Sequence, residues 1–311
     1  MDFPVSGIEI SPLVPFLVAF AISTVTSTGG VSGAFLILPF QMSVLGFTSP
    51  AVSATNHLYN VVAIPGGLAR YVREGRMLWP LAWTFAAGAV PGVIVGTLVR
   101  VRWLPEPRPF EIFASLVLLW AAGQTALGLL GPRGRRRAGG RAPAREAGAG
   151  GVRSGDAPDR DAGWTLTAVE GGPREATFAF RGETWSFRPP TVFVLALVVG
   201  VVGGVYGIGG GAIIAPFVVT FFGLPVHAVA GAALFGTLLT SLVGVLSYQA
   251  LAPLHPGLPV APDWALGALF GLGGLIGTWC GARMQRHVPD RAIRWMLALV
   301  LLFLGVRYAL P

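Results

Sequence analysis

Of 311 residues, 53% are hydrophobic and only 12% are charged, about half the charged share of an ordinary soluble domain, which excludes a water-soluble globular protein. The net charge of +8 would point to nucleic acid in a soluble chain, but all 22 basic residues are arginines that flank apolar stretches or fill one interval. Orientation in a bilayer accounts for them, and nucleic acid is excluded as the partner.

In chain order, the N-terminus carries Asp2 and Glu9 in place of a basic leader, and the apolar stretch after it outruns a signal peptide, so it reads as retained. From Ile10 to Ala69, 60 residues hold no Asp, Glu, Lys or Arg. Because about 20 apolar residues cross roughly 30 Å of hydrocarbon, several passes fit inside. The first apolar segment, about 12–46, is broken at Gly29-Gly30-Val31-Ser32-Gly33, which a single straight pass does not need. The second, about 50–69, carries His57 between Asn56 and Asn60. An ionisable side chain inside a span is a functional candidate, weighed evenly against a neutral imidazole satisfied by one interhelical hydrogen bond. Segments at about 77–99 and 110–131 complete the first set.

Residues 132–189 form a charged linker; between Gly131 and Pro189 lie 11 of the arginines and 7 of the 14 acids. Its Arg-, Gly-, Ala- and Pro-rich part up to Gly163 cannot bury a core and is expected to be disordered. The alternation Thr177-Phe178-Ala179-Phe180 and Thr184-Trp185-Ser186-Phe187 around Arg181-Gly182 predicts a β-hairpin within 164–188. From Pro189 to Pro262 another 74 residues carry no charge, and apolar segments recur at about 190–223, 226–250, 264–282 and 292–310. The first of these is broken again, at Gly207-Ile208-Gly209-Gly210-Gly211, and the second offers the hydroxyls of Thr237, Thr240 and Ser241. Those hydroxyls either face a cavity or bond back to their own helix. The single cysteine, Cys280, supplies neither an internal disulfide nor a cysteine-based metal site.

An offset of 177 residues pairs Gly30 with Gly207, Gly33 with Gly210, Pro39 with Pro216, Phe40 with Phe217 and Gly46 with Gly223, and runs on ungapped to Tyr71 and Tyr248. The fold class expected is an all-α integral membrane protein of about eight segments in two homologous four-segment repeats, residues 1–131 and 190–311, each first segment broken at its glycine turn. If each broken segment crosses once, the arginines split 7 to 10 between the two sides; if each dips in and returns, they split 13 to 4. The positive-inside rule therefore favours inverted repeats in the cell membrane, with the linker cytoplasmic and both termini outside.

Half-helices that meet at a glycine turn leave backbone N–H groups and a positive dipole end facing a cavity, which suits an anion. The alternative is that the glycines only permit close helix packing; a duplicated cluster, each copy followed by a proline, favours the site. The candidate substrate-binding residues are Gly29, Gly30, Ser32, Gly33, Asn56, His57, Asn60, Gly207, Gly209, Gly210, Gly211, Thr237, Thr240 and Ser241. No Asp or Glu lies inside a span, Glu111 and Asp263 standing at segment edges, which disfavours a carboxylate relay or cation site. No phosphate-binding loop signature occurs, and no cofactor or metal is expected. Gly30-Val31-Ser32-Gly33 also has the GxSG form of rhomboid intramembrane proteases, with His57 as a conceivable base. That enzyme reading is the weaker one, since His57 is on the very next segment and the repeat places Gly209 where Ser32 stands. A scaffold whose linker recruits a partner is a third reading.

The Gly-x-Gly-Gly-Gly turn of Gly207 to Gly211 with Pro216 and Gly223, and the looser copy at Gly30, Gly33, Pro39 and Gly46, resemble the sulfite exporter TauE/SafE family of membrane permeases. The resemblance covers both halves and excludes the linker. It implies an eight-segment permease that moves sulfite or related sulfur-containing or organic anions across the cell membrane, commonly outward. A small anion and the lipid bilayer are the partners expected on this reading, and homo-oligomerisation is left open.

Overall fold

The computed structural model describes residues 1–29, 32–130, 167–172, 174–180, 183–284 and 290–310. A short hairpin opens the chain, β1 (Asp2–Phe3) pairing with β2 (Ile8–Glu9), and it buries Phe3 completely. The glycine-broken first segment becomes two helices, α1 (Leu13–Gly29) and α2 (Ala34–Ser43). The second segment also divides, into α3 (Ala51–Ala63) and α4 (Pro65–Arg73). Its break falls at Pro65, which has no N–H to extend the ladder and sits at the start of the new helix. None of the residues of α4 is buried, and past its end Glu74 is bridged by Arg70 at 2.7 Å and Arg76 at 2.8 Å. Hydrogen bonds from the two guanidinium groups hold that carboxyl below the usual carboxylate range.

After α5 (Trp79–Arg102) and α6 (Pro107–Leu130) comes the linker, whose stretch expected to be disordered lies outside the described residues. Its last part is an antiparallel sheet of β3 (Thr167–Gly171), β4 (Ala176–Phe180) and β5 (Glu183–Phe187), in that order, with Phe178 opposite Trp185. Strand alternation buries Ala176, Phe178 and Phe180 on one face. Then follow α7 (Pro189–Tyr206), α8 (Gly210–Phe221), α9 (Val226–Leu251), a 3-10 turn at Ala252–Leu254, α10 (Trp264–Met284) and α11 (Asp290–Ala309). Among the described residues five helices are long and apolar enough to cross a membrane: Trp79–Arg102, Pro107–Leu127, Pro189–Tyr206, Ala228–Leu254 and Trp264–Gly281. Helices α1, α2 and α8 and most of α11 are apolar but shorter. Large apolar side chains such as Leu116, Val198, Leu246 and Phe303 point outward, as a lipid-facing surface requires.

Glycine seams fix how the helices lie. A Cβ on Gly92 or Gly96 of α5 would collide with the α7 backbone at Leu197 and Val201, and one on Gly200 or Gly204 of α7 with α5 at Ala89 and Val93. Contacts that advance together along both chains mean that α5 and α7 run the same way. By the same reasoning α10 runs parallel to α1, with Gly273, Gly277 and Gly281 against Phe16, Phe20 and Thr24. It is also parallel to α3, with Gly267 on Leu58 and Gly271 on Val62. The α3–α4 segment is antiparallel to α9, His57 of α3 meeting Gly244 and Gly67 of α4 meeting Leu234.

One end of the bundle is tied by polar contacts. Asp263 caps α10 through Leu266 N at 3.1 Å and accepts from Ser6 N and Oγ at 3.2 and 3.0 Å, while its own N–H donates to Thr55 at 2.9 Å. Arg108, at the start of α6, donates to the closing carbonyls of α11 at Tyr308 and Leu310, 3.3 and 2.9 Å. The N-terminal hairpin, the starts of α3, α6 and α10, and the C-terminus therefore share that end.

Candidate functional site

Both helix breaks are lined by polar side chains of their neighbours. At the first, Gly29 ends α1, Gly30 falls outside the described residues, and Ser32 and Gly33 lie just before α2. Ser32 Oγ accepts from Ala34 N at 3.3 Å, the local bond expected of a serine at a helix start. Gly33 is close against the Tyr59 hydroxyl and Ser23, which bond each other at 2.9 Å, and a Cβ at Gly33 would come within 2.5 Å of the tyrosine oxygen.

At the second break, Gly207 closes α7 in the left-handed region with φ 87°, and its N–H returns to Gly203 O at 2.8 Å. Gly209 has φ 72° and ψ 155°, a conformation essentially restricted to glycine. A Cβ there would be 2.8 Å from Ser241 Oγ and 3.0 Å from Thr237. The first N–H of α8, on Gly210, donates to Thr240 Oγ1 at 3.1 Å. Gly211 is pressed against Ala233 and Thr237 of α9. Thr237 and Thr240 also bond back to their own helix, at Ala233 O (2.8 Å) and Gly236 O (2.6 Å), so only Thr240 serves the break as well.

Helix α3 joins the two breaks. Asn56 Nδ2 donates to Ala34 O at 3.1 Å, and one turn on Asn60 Nδ2 reaches Gly207 O at 3.5 Å. Across the same gap the Tyr206 hydroxyl donates to Phe35 O at 3.1 Å, with the two rings 6.1 Å apart. The start of α2 and the end of α7 are thus bridged by α3 and by each other. His57 is fully buried against Gly244 and the Tyr248 ring, centroids 6.1 Å apart. Gly204 backbone lies close, but neither imidazole nitrogen makes a hydrogen bond of good geometry. Asn56 Oδ1 and Ser241 Oγ are likewise buried without a partner. Each such group is destabilising unless something fills the vacant valence.

The sequence reading missed four contributors. Tyr59 and Tyr206 are aromatic residues in apolar runs, and only their hydroxyl contacts separate them from core. Ser53 Oγ donates to Val205 O at 2.8 Å, and Gly207 is packed on its backbone. Arg100, which the sequence places at the flank of a span, is completely buried. A legible signal existed: Gly88, Gly92, Gly96 and Arg100 follow one another at i, i+4 spacing, so the arginine continues a packed stripe. Ser32 and His57 are not joined by a hydrogen bond among the described residues, and Ser32 is engaged with Ala34, so these two do not stand together as nucleophile and base. No group of three or more His, Cys, Asp or Glu side chains fit to hold a metal gathers among the described residues. Chemically the region offers neutral donors and acceptors, backbone N–H groups and one buried cation.

The family model described as Sulfite exporter TauE/SafE matches residues 15–308. A curated relative, the probable membrane transporter protein YunE of Bacillus subtilis (strain 168), is 25% identical over 122 residues, which is 39% of this chain and 42% of that protein. The matched stretch is less than half of that relative's length. No solved structure matches.

Proposed function

The chain belongs to the sulfite exporter TauE/SafE family, and from that premise we propose that it is a secondary permease carrying sulfite or a related small sulfur-containing or organic anion outward across the cell membrane. The two glycine breaks form one substrate site, with Gly33, Gly209 and Gly211 contributing backbone N–H groups and Asn56, His57, Asn60 and Ser241 contributing side chains. The observation that carries this reading is the set of fully buried, unpartnered polar atoms on Asn56, His57 and Ser241, beside the start of α2 and the end of α7 that α3 bridges. An oxoanion supplies acceptors for the donors, and its protonated form supplies a donor for Asn56 Oδ1. Irregular backbone is tolerated at membrane depth where it is buried in protein or lines water.

The two repeats are inverted in this reading. Under the 177-residue shift, the parallel pair α5 and α7 becomes the parallel pair α10 and α1, while the α3–α4 segment with α9 maps onto itself as an antiparallel pair. That pattern supports a two-fold axis in the membrane plane. The test is purified protein in liposomes loaded with sulfite, followed by efflux against a sulfate control. Sulfite efflux that exceeds protein-free vesicles and saturates is expected. Leakage equal to that of empty vesicles would refute the permease reading.

A further inference from the structure

Arg100 is a full positive charge buried inside the bundle, near the last turn of α5. Its Nε donates to Ser53 Oγ at 3.4 Å, one terminal nitrogen to Leu104 O, the other to Thr48 O at 3.0 Å, and the guanidinium lies over the Phe110 ring, 3.7 Å from its centroid. These partners are neutral. Carbonyl dipoles at the C-terminal end of α5 and the ring face soften the charge without cancelling it. Among the described residues the carboxylates in ion pairs are Glu74 and Glu111, and neither pairs with Arg100. An ionised group buried in the protein with no counter-charge is expensive to keep.

Position and asymmetry say what the charge is for. Ser53, which accepts from Arg100, donates to Val205 O and holds the Gly207 turn against its own backbone. The Tyr248 hydroxyl donates to Gly204 O, 2.9 Å, on the same last turn of α7. One side chain therefore separates the cation from the second helix break. In the other half, the 177-residue shift puts Gly277 where Arg100 stands, packed on Phe20 and Ser23. Helix packing at this place in the repeat is met without a charge, so the charge answers a need found in one half alone.

We propose that Arg100 is the resident counter-charge for the transported anion, a positioning residue that acts through Ser53 on the Gly207 turn and selects anions over neutral molecules of the same shape. This rests on the permease reading and adds a residue to its site. The anion then arrives in a bundle that already carries the compensating charge, so that loading neutralises the site.

The test uses the full chain in liposomes, with sulfite as the transported probe and methanesulfonate and the neutral isostere dimethyl sulfone as competitors. In the wild type, methanesulfonate inhibits sulfite flux and dimethyl sulfone does not. Arg100→Gln is expected to raise KM for sulfite at least about tenfold, the worth of one lost charge-assisted interaction, and to abolish the preference for methanesulfonate. Arg100→Lys keeps the charge but not the planar fork and is expected to hold KM within about threefold of the wild type. A packing role predicts the reverse: both variants lose thermal stability, and the folded fraction of each keeps the wild-type KM. Should Arg100→Gln fail to fold, a folded Arg100→Lys with KM raised more than about tenfold still overturns the assignment. If wild-type vesicles move sulfite and Arg100→Gln leaves KM and competitor preference unchanged, Arg100 alone is misassigned. If wild-type vesicles move no sulfite, the permease reading fails and this inference falls with it.

Discussion

At the scale of one residue, Ser241 is where stability and function are expected to separate. Its hydroxyl is buried and unpartnered 2.8 Å from where a Cβ on Gly209 would lie, so removing it forfeits no hydrogen bond and relieves a desolvated polar atom. Ser241→Ala is expected to keep or slightly raise the melting temperature of the purified protein while raising KM for sulfite several-fold in the vesicle assay. A drop in melting temperature with unchanged KM would make the serine structural. His57 is in the same position, with both nitrogens unsatisfied against Gly244. His57→Gln is expected to slow sulfite flux about tenfold, whereas an unchanged rate and an unchanged pH profile would assign the residue to packing. These residues were legible in the sequence because polar side chains are conspicuous in uncharged runs of 60 and 74 residues. For Arg100 the only sequence signal is its place at the end of the Gly88, Gly92, Gly96 stripe, masked by the fact that a span's end is the commonest place for an arginine, and its burial depends on Thr48 and Phe110 closing over it from other elements.

Two elements meet closely only where glycine allows it. The α5 and α7 backbones approach so near that a Cβ on Gly96 would lie 2.9 Å from Gly204 Cα, and one on Gly92 3.0 Å from Gly200 Cα. Membrane helices gain no hydrophobic drive to associate in lipid and depend on such packing. Gly92→Leu is therefore expected to lower the thermal midpoint sharply or prevent recovery of folded protein, since overpacking costs typically about 1–3 kcal/mol and more when backbone must move. Gly123→Leu on α6, where a Cβ would meet nothing within 4 Å, is the control and is expected to leave stability unchanged. The breaks in the first segment of each half were readable because glycine clusters interrupt otherwise uniform apolar runs. The break between α3 and α4 was not taken from Pro65, whose missing N–H divides the second segment while the apolar pattern runs on to Ala69. A third strand joined the expected hairpin because Thr167–Gly171 finds its partner in β4, a pairing that its mixed composition does not advertise.

For the whole molecule, orientation follows from which helix ends lie together. Arg108 holds the end of α11 beside the start of α6, and Asp263 holds the N-terminal hairpin beside the start of α10, so both termini share one end of the bundle. The starts of α5, α7 and α9 lie at the other, because α5 runs parallel to α7 and also to α9, where Met77 meets Gly231 and Phe85 meets Gly236. Arg70, Arg73, Arg76 and Arg188 stand at that second end, next to the arginine-rich linker. By the positive-inside rule that end is expected to face the cytoplasm. Cysteine labelling of intact cells checks this, with Cys280 first replaced by serine so that no native thiol reports. Glu106→Cys, at an exposed position between α5 and α6, is expected to react with a membrane-impermeant maleimide. Gly150→Cys in the linker is expected to react only after the membrane is permeabilised. The reverse pattern would turn the molecule over and require sulfite to enter the site first from the opposite face.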